Sequence, residues 1–188
     1  MTQAHDDVIA LVLEDHRQIK SMMNDLSAST AQGDSDDLFE RLIAKLAMHE
    51  TAEEEVVHPL ARKTPGGDAI VDELLTEEDK GKKALAELEK MGPSDPGFKS
   101  KFEMVKQEVL THAEHEELRE HPKLRSNVDE EQRAKAASMF RVAEKIGPTH
   151  AHKMAPESAT GNIFVGMFVA VADRVRDAIR DAMHSSAR

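Results

Sequence analysis

Apolar residues recur three and four positions apart along almost the whole chain, and no stretch alternates apolar and polar residues as a half-buried strand does. Steps of three and four place all members of such a row on one face of an α-helix. In the first segment, residues 6–27, the row is Ile9, Val12, His16, Ile19, Met23 and Leu26. The pattern therefore predicts an all-α protein.

Turns that contain glycine and proline separate this row from three others. Breaks are predicted around Gly33 and at residues 65–67 and 92–97, and Pro59 and Pro122 are expected to end or kink their helices. The further rows are Leu42, Leu46, His49, Glu53, Val56, Leu60; then Val71, Leu74, Glu78, Gly81, Leu85, Leu88; and then Phe98, Phe102, Val105, Val109, His112, Glu116. Four amphipathic helices with short connections predict an up-down-up-down four-helix bundle.

The remainder of the chain predicts additional C-terminal helices. Residues 130–146 form a fifth amphipathic segment, and a last helix begins with an apolar run that is too short to cross a bilayer. We expect residues 1–124 to form the bundle and residues 125–188 to form an extension that packs on the bundle or on a second subunit. The apolar run is a candidate element for a homodimer. His150 and His152, between the two helices, are expected to lie in a polar loop.

Composition narrows the chemistry. The 188 residues include 36 acidic and 25 basic ones, and this balance argues against a nucleic-acid partner. No stretch reaches the ~18 apolar residues of a membrane span, and the first residues lack a secretory signal, so we expect a cytoplasmic protein. The absence of Cys excludes disulfides, thiolate catalysis and cysteine-ligated metals. Ten histidines then stand out as the unusual feature.

Two eleven-residue segments of the chain match each other. Residues 49–59 and 112–122 share the pattern H-x3-E-E-x3-H-P without a gap. The match extends upstream, because His16 lies 33 residues before the first segment and Glu78 lies 34 residues before the second. The two halves of the bundle therefore look like an internal duplication.

The duplicated motif places ionisable side chains among apolar ones. In each copy a histidine lies four residues before a glutamate, so the two side chains stack on one face of the helix, and that face is the apolar one. No Lys or Arg occupies the central layers of the four rows. Buried carboxylates without a cationic partner are costly unless they coordinate metal, and a dinuclear centre resolves that cost. The predicted ligands are His16, His49, Glu53, Glu78, His112 and Glu116.

A second interpretation stays open for several residues. A single H-x3-E is commonplace on helix surfaces, and its repetition on two apolar faces is what favours a metal site. In the third helix Asp79 is an alternative to Glu78, although that register would bury a lysine and a glutamate. We expect His58 and His121, which precede the prolines, to support the site from outside the ligand shell or to be structural. His115 is expected to be exposed.

These residues resemble the hemerythrin-like family of HHE cation-binding domains. The pattern begins with Asp15-His16, continues through His49 to Pro59, and is repeated in the second half. The resemblance covers roughly residues 8–124, whereas the C-terminal residues lie outside it. It implies a four-helix bundle with two iron ions joined by an oxo or hydroxo bridge.

The resemblance also implies that Glu53 and Glu116 bridge the two ions. The sequence departs from the family in two respects. Glu78 stands where the third helix usually has a histidine, and no H-x3-H pair of the kind found in oxygen-carrying members is present.

The predicted ligand set favours redox chemistry over oxygen carriage. Carboxylate oxygens are hard donors that stabilise an oxidised metal, and two octahedral ions would keep about two positions open for a diatomic molecule or a peroxide. We therefore expect a redox enzyme that disproportionates peroxide as a catalase does, in oxidative-stress defence, with Glu53, Glu78 and Glu116 assisting proton transfer. The alternative is non-enzymatic binding or sensing of O2, NO or iron. Iron is the expected metal, although manganese favours similar ligands.

Overall fold

The computed structural model describes residues 7–30, 32–146 and 167–186, and these ranges contain helices and turns but no strand. The helices are α1 Val8–Ala28, α2 Gln32–Ala52, α3 His58–Ala61, α4 Gly67–Met91, α5 Phe98–His115, α6 His121–Asn127, α7 Glu130–Ile146 and α8 Met167–Ser186. The prediction of an all-α fold is confirmed.

The bundle consists of the four long helices α1, α2, α4 and α5, with α1 packed on α2 and α4 packed on α5. Asp7 caps α1 by accepting a hydrogen bond from the backbone N–H of Ile9 at 3.0 Å. Gly66 and Gly92 flank α4 with positive φ angles of 73° and 69°, a conformation that side chains disfavour. Gly33, where a turn was predicted, lies in the first turn of α2 instead. The acidic residues that follow it favour a helix N-terminus because of the helix dipole.

The helices that carry the duplicated motif continue through their prolines. Glu53–Val57 and Glu116–Glu120 each form one π-helical turn, and α3 and α6 follow directly. In the first turn the N–H of His58 donates to the carbonyl of Glu53, five residues back, and the second turn repeats this bond. The wider turn relieves the clash between a proline ring and the carbonyl four residues before it. The two prolines therefore widen a turn and do not end the helix.

Two hydrophobic clusters fill the bundle, one on each side of a polar layer. Val12 in α1 belongs to the first cluster, whereas Ile19 and Met23, further along the same helix, belong to the second. His16 lies between them in sequence and is buried. The ionisable residues of the rows therefore form a layer across the bundle, between two apolar regions that exclude water from both sides.

Helices α7 and α8 pack on α1 and α2 within the first cluster. They contribute Phe140, Val171, Val175 and Ile179, all of which are buried. The predicted division at residue 124 and the homodimer stay predictions. The start of the apolar run, like His150 and His152, lies outside the described residues. None of the helices in the described ranges is both long enough and apolar enough to cross a membrane.

Candidate metal centre

Four imidazole rings meet three carboxylates in the polar layer. Every helix of the bundle contributes, because the side chains come from α1, α2, α4, α5, the π turns that follow α2 and α5, and the start of α3. The distances from Nε2 to a carboxylate oxygen are 3.2 Å for His16–Glu116, 3.2 Å for His49–Glu53, 2.8 Å for His58–Glu78 and 3.3 Å for His112–Glu116. These seven side chains are called the inner groups below.

The inner groups contain two clusters whose ligand atoms lie within 4.8 Å of one another. The first is His16, His49, Glu53 and Glu116, and the second is His58, Glu78 and Glu116. Glu116 belongs to both clusters, so one carboxylate stands where two neighbouring ions would share a ligand. His112 lies beside this shared carboxylate, although neither cluster includes it.

The two central carboxylates leave their oxygen atoms without hydrogen-bond partners. Glu53 and Glu116 are 0% exposed, and neither oxygen of either side chain accepts a hydrogen bond in the described part of the chain. The Nε2 atoms of His16 and His112 are likewise buried without a hydrogen bond. A buried polar atom without a partner costs about 1–3 kcal/mol. A metal ion would satisfy these atoms together, so the residues fit a mixed imidazole and carboxylate site.

Each of the four rings has an acid near its other nitrogen. The distances from Nδ1 to the carboxylate oxygen are 2.8 Å for His16–Glu117, 3.6 Å for His49–Asp15, 2.8 Å for His58–Glu120 and 3.1 Å for His112–Glu77. For His16, His58 and His112 this contact is a hydrogen bond, which holds the ring proton at Nδ1 and leaves the lone pair of Nε2 directed towards the other inner groups. Nδ1 of His49 lies near Asp15 without a hydrogen bond. These four acids are called the outer carboxylates below.

The electrostatics of the two central carboxylates differ. Burial raises the pKa of Glu53 well above its ordinary value, and the charge of Glu116 raises it further. Burial acts in the same direction on Glu116, but the imidazoles of His112 and His16 outweigh it and hold the pKa of Glu116 well below its ordinary value. The surroundings therefore shift the pKa values of the two carboxyl groups in opposite directions.

His58 reaches the site because of the first π turn. In a continuous α-helix, at about 100° per residue, His58 would lie roughly 140° around the helix from Glu53. The hydrogen bond from its N–H to the Glu53 carbonyl closes one turn between the two residues and brings His58 over the same face. His58 was expected outside the ligand shell because it directly precedes Pro59 at a predicted kink. The available signal was its repetition before proline in both copies.

His121, the repeat counterpart of His58, has different surroundings. It is 1% exposed, its ring stacks on that of His16 at 6.1 Å, and its Nε2 has no hydrogen-bond partner. Burial lowers the pKa of His121 to about 4. Burial also acts to lower the pKa of His58, but hydrogen bonds to two acids, with Glu120 the stronger, raise it to about 10. The repeat counterpart of Glu120 is Val57, which has no polar side-chain atom.

The third helix presents Glu78 to the core, as the preferred register predicts. Glu78 is 2% exposed, whereas Asp79 faces solvent. No Lys or Arg belongs to the central layers of the rows, but a lysine from outside its row reaches Glu78, whose Oε2 accepts a hydrogen bond from Lys82 Nζ at 3.1 Å. The lysine lies one turn further along α4, and its long side chain reaches back to the layer.

A cavity of about 320 Å³ opens between α4 and α5 beside the inner groups. Glu78 and His112 line it together with Glu50, a buried carboxyl group that sequence analysis did not single out. Burial raises the pKa of Glu50 to about 8, and the charge of Glu78 contributes. His115, which was predicted to be exposed, also lines the cavity. Its side chain is 37% exposed, and its Nδ1 lies 2.9 Å from Oε1 of Glu77.

The sequence that forms this layer matches a known family. A model of the Hemerythrin HHE cation binding domain matches residues 7–124, more than half of the chain. The chain belongs to this family. The match confirms the resemblance seen in the sequence and supports metal-cation binding by the hemerythrin-like domain.

Two relatives have sequences similar to this chain. An uncharacterized hemerythrin-like protein of Schizosaccharomyces pombe is 26% identical over 165 residues, which cover 87% of this chain and 81% of the relative. A protein of Nostoc sp. named DNA nickase is 30% identical over 138 residues, which cover 73% of this chain. This chain spans only 38% of the length of the nickase. No solved structure gives a significant match.

Proposed function

We propose that the hemerythrin-like domain holds two iron ions among the inner groups and disproportionates hydrogen peroxide. The observation that carries this proposal is the convergence of four Nε2 atoms on three buried carboxylates, two of which lack other partners. The six predicted ligands together with His58 would hold the ions. Glu116, common to both clusters, supports a shared ligand.

The ligand chemistry supports peroxide reaction over oxygen carriage. Three carboxylates lie among the inner groups, and four more lie at the outer nitrogens of the rings. This concentration of negative charge stabilises the higher oxidation state of a bound metal. A carrier must instead return to its reduced state each time the ligand leaves.

Disproportionation converts two molecules of peroxide into one of O2 and two of water. One peroxide loses two electrons and two protons, and the other gains them, so the reaction needs groups that store both. A pair of redox-active ions would supply the electron storage when bound. Glu53, Glu78 and Glu116 are the proposed proton-handling groups, and Glu78 is linked through Lys82 to the edge of the bundle, where that lysine is 26% exposed.

Oxygen evolution from added peroxide tests this function. We expect the iron-loaded protein to release O2 faster than an equal amount of free iron, and the His49→Ala and Glu116→Gln variants to lose this activity. Glu114→Gln changes an exposed acid on α5 and serves as the matched control. Iron-loaded protein with no turnover above free iron would overturn the proposal. A reversible spectral change on oxygenation, without turnover, would then favour the binding or sensing function.

A further inference from the structure

Gly81 occupies a core-facing position that is filled in the other half of the duplication. It lies three residues after Glu78, as Ile19 lies three residues after His16. Ile19 is 3% exposed and belongs to the second hydrophobic cluster. A Cβ atom added at Gly81 would meet no heavy atom within 4 Å beyond its own helix. At this position the first half of the duplication is filled by the side chain of Ile19, whereas the second half, at Gly81, has open space.

This open position forms part of the cavity between α4 and α5. Gly81 lines the cavity beside Glu78, one of the inner groups, and His112 from the facing helix lines it as well. Lys80 and Glu108, which also line it, are exposed. The cavity therefore connects the surface with the carboxylates and imidazoles of the metal centre, and its volume is at the small end of the ~300–1,000 Å³ of ligand pockets.

The charges along the cavity indicate which molecules it admits. Four carboxyl groups line it together with one lysine and two histidines, so it has no excess of basic side chains. Such a lining does not concentrate anions, whereas uncharged molecules enter without an electrostatic barrier. We propose that the cavity is the passage by which small uncharged molecules reach the metal centre, and that the absence of a side chain at Gly81 keeps it open. The proposal rests on the proposed function in that the centre must bind a small ligand.

Nitric oxide is a small uncharged probe whose binding requires no turnover. We would measure its association rate with the reduced, iron-loaded full chain by stopped-flow absorption, per bound iron, in the Gly81→Ala and Gly81→Leu variants. The rate is expected to fall in steps, with Gly81→Leu at least about tenfold slower than the unmodified protein. Gly81→Ala tests the same position with a residue of higher helix propensity, so a folding failure of the leucine variant leaves the proposal testable.

Gly33→Leu is the matched control, because Gly33 is also helical and surrounded by open space, but is exposed and lies in the first turn of α2. Its nitric oxide rate should equal that of the unmodified protein. Equal rates in the Gly33 and Gly81 variants would overturn the passage. An unmodified protein without peroxide turnover would overturn the catalase-like function alone, because the nitric oxide rates report access to the metal centre independently of turnover. A Gly81-dependent rate in that case would still support the passage.

Discussion

Each site histidine has one nitrogen among the inner groups and the other beside an outer carboxylate. For His16, His58 and His112 a hydrogen bond at Nδ1 fixes which nitrogen carries the proton and holds the plane of the ring. The contact between His16 and Glu117 spans 101 positions of sequence, and that between His58 and Glu120 spans 62. The outer carboxylates therefore come from other helices, and they stiffen the layer as they orient its rings.

Replacing Glu120 by Leu is expected to weaken binding of the second ion about 10–100-fold, because His58 loses the acceptor that fixes its ring. Competition titration against a coloured chelator measures this affinity. Glu114→Leu, at an exposed site on α5, should leave it unchanged. Equal affinities for the two variants would mean that the outer carboxylate does not orient the ring.

Replacing Glu53 by Gln is expected to stabilise the metal-free protein and destabilise the metal-loaded one. Burial raises the pKa of Glu53 in the folded chain, so above the ordinary glutamate pKa of about 4.3 the unfolded chain releases this proton more readily than the folded one. The variant removes this difference, so it should gain unfolding free energy at neutral pH, about 1.4 kcal/mol for each unit by which folding raises the pKa, and less towards pH 4. Chemical denaturation with and without metal measures both effects. A loss of stability in the metal-free variant would contradict the assignment.

At the scale of elements, helical periodicity predicts which residues share a face but misses changes in the helix itself. The rows correctly place His16, His49, Glu53 and Glu116 in the core, because these positions follow the α-helical repeat. His58 was not predicted to lie there, because the π turn rotates it around the helix axis relative to its position in a continuous α-helix. Local residue propensities do not predict where a π turn forms. The outer carboxylates were missed because tertiary packing alone brings them to the rings.

Deleting Glu55 should convert the first π turn into an α-helical turn and leave His58 on the same face. His58 would then follow Glu53 by four residues, which at about 100° each return it to within about 40° of Glu53, so we expect both ions to remain. An alanine inserted after Glu55 should instead turn His58 by about 100° away from Glu78, and metal content should fall from two ions to one. Because Glu55 also pairs with Arg176 at 2.9 Å, Glu55→Ala is the matched control for loss of that side chain and should retain both ions. Two ions in the insertion variant would refute the role of the π turn.

At the scale of the whole molecule, the C-terminal helices complete the surroundings of the site. The family match ends at residue 124, but the first hydrophobic cluster continues into α7 and α8. Phe140 of α7 is 0% exposed, and its ring centroid lies 6.5 Å from that of His49. Helix α7 therefore covers the layer beside His49.

Truncating Phe140 to Ala should destabilise the protein by about 3–5 kcal/mol, because it leaves an empty space in the core. It should also speed the loss of metal to a chelator, because water could enter that space beside His49. Met139→Ala, a truncation at a partly buried neighbour on the same helix, is expected to have a smaller effect on both. Thermal unfolding and chelator-dependent release rates measure the two effects. An unchanged release rate would show that α7 does not protect the centre.

The central claim is a two-ion site that shares Glu116, and metal analysis of the purified protein tests it most directly. After growth in iron-rich medium we expect two ions per chain in the unmodified protein, one in Glu78→Gln, and a loss of both in Glu116→Gln, since that carboxylate belongs to both clusters. An unmodified protein without stoichiometric metal would contradict the account. So would a Glu116→Gln variant that retains as much metal as the unmodified chain.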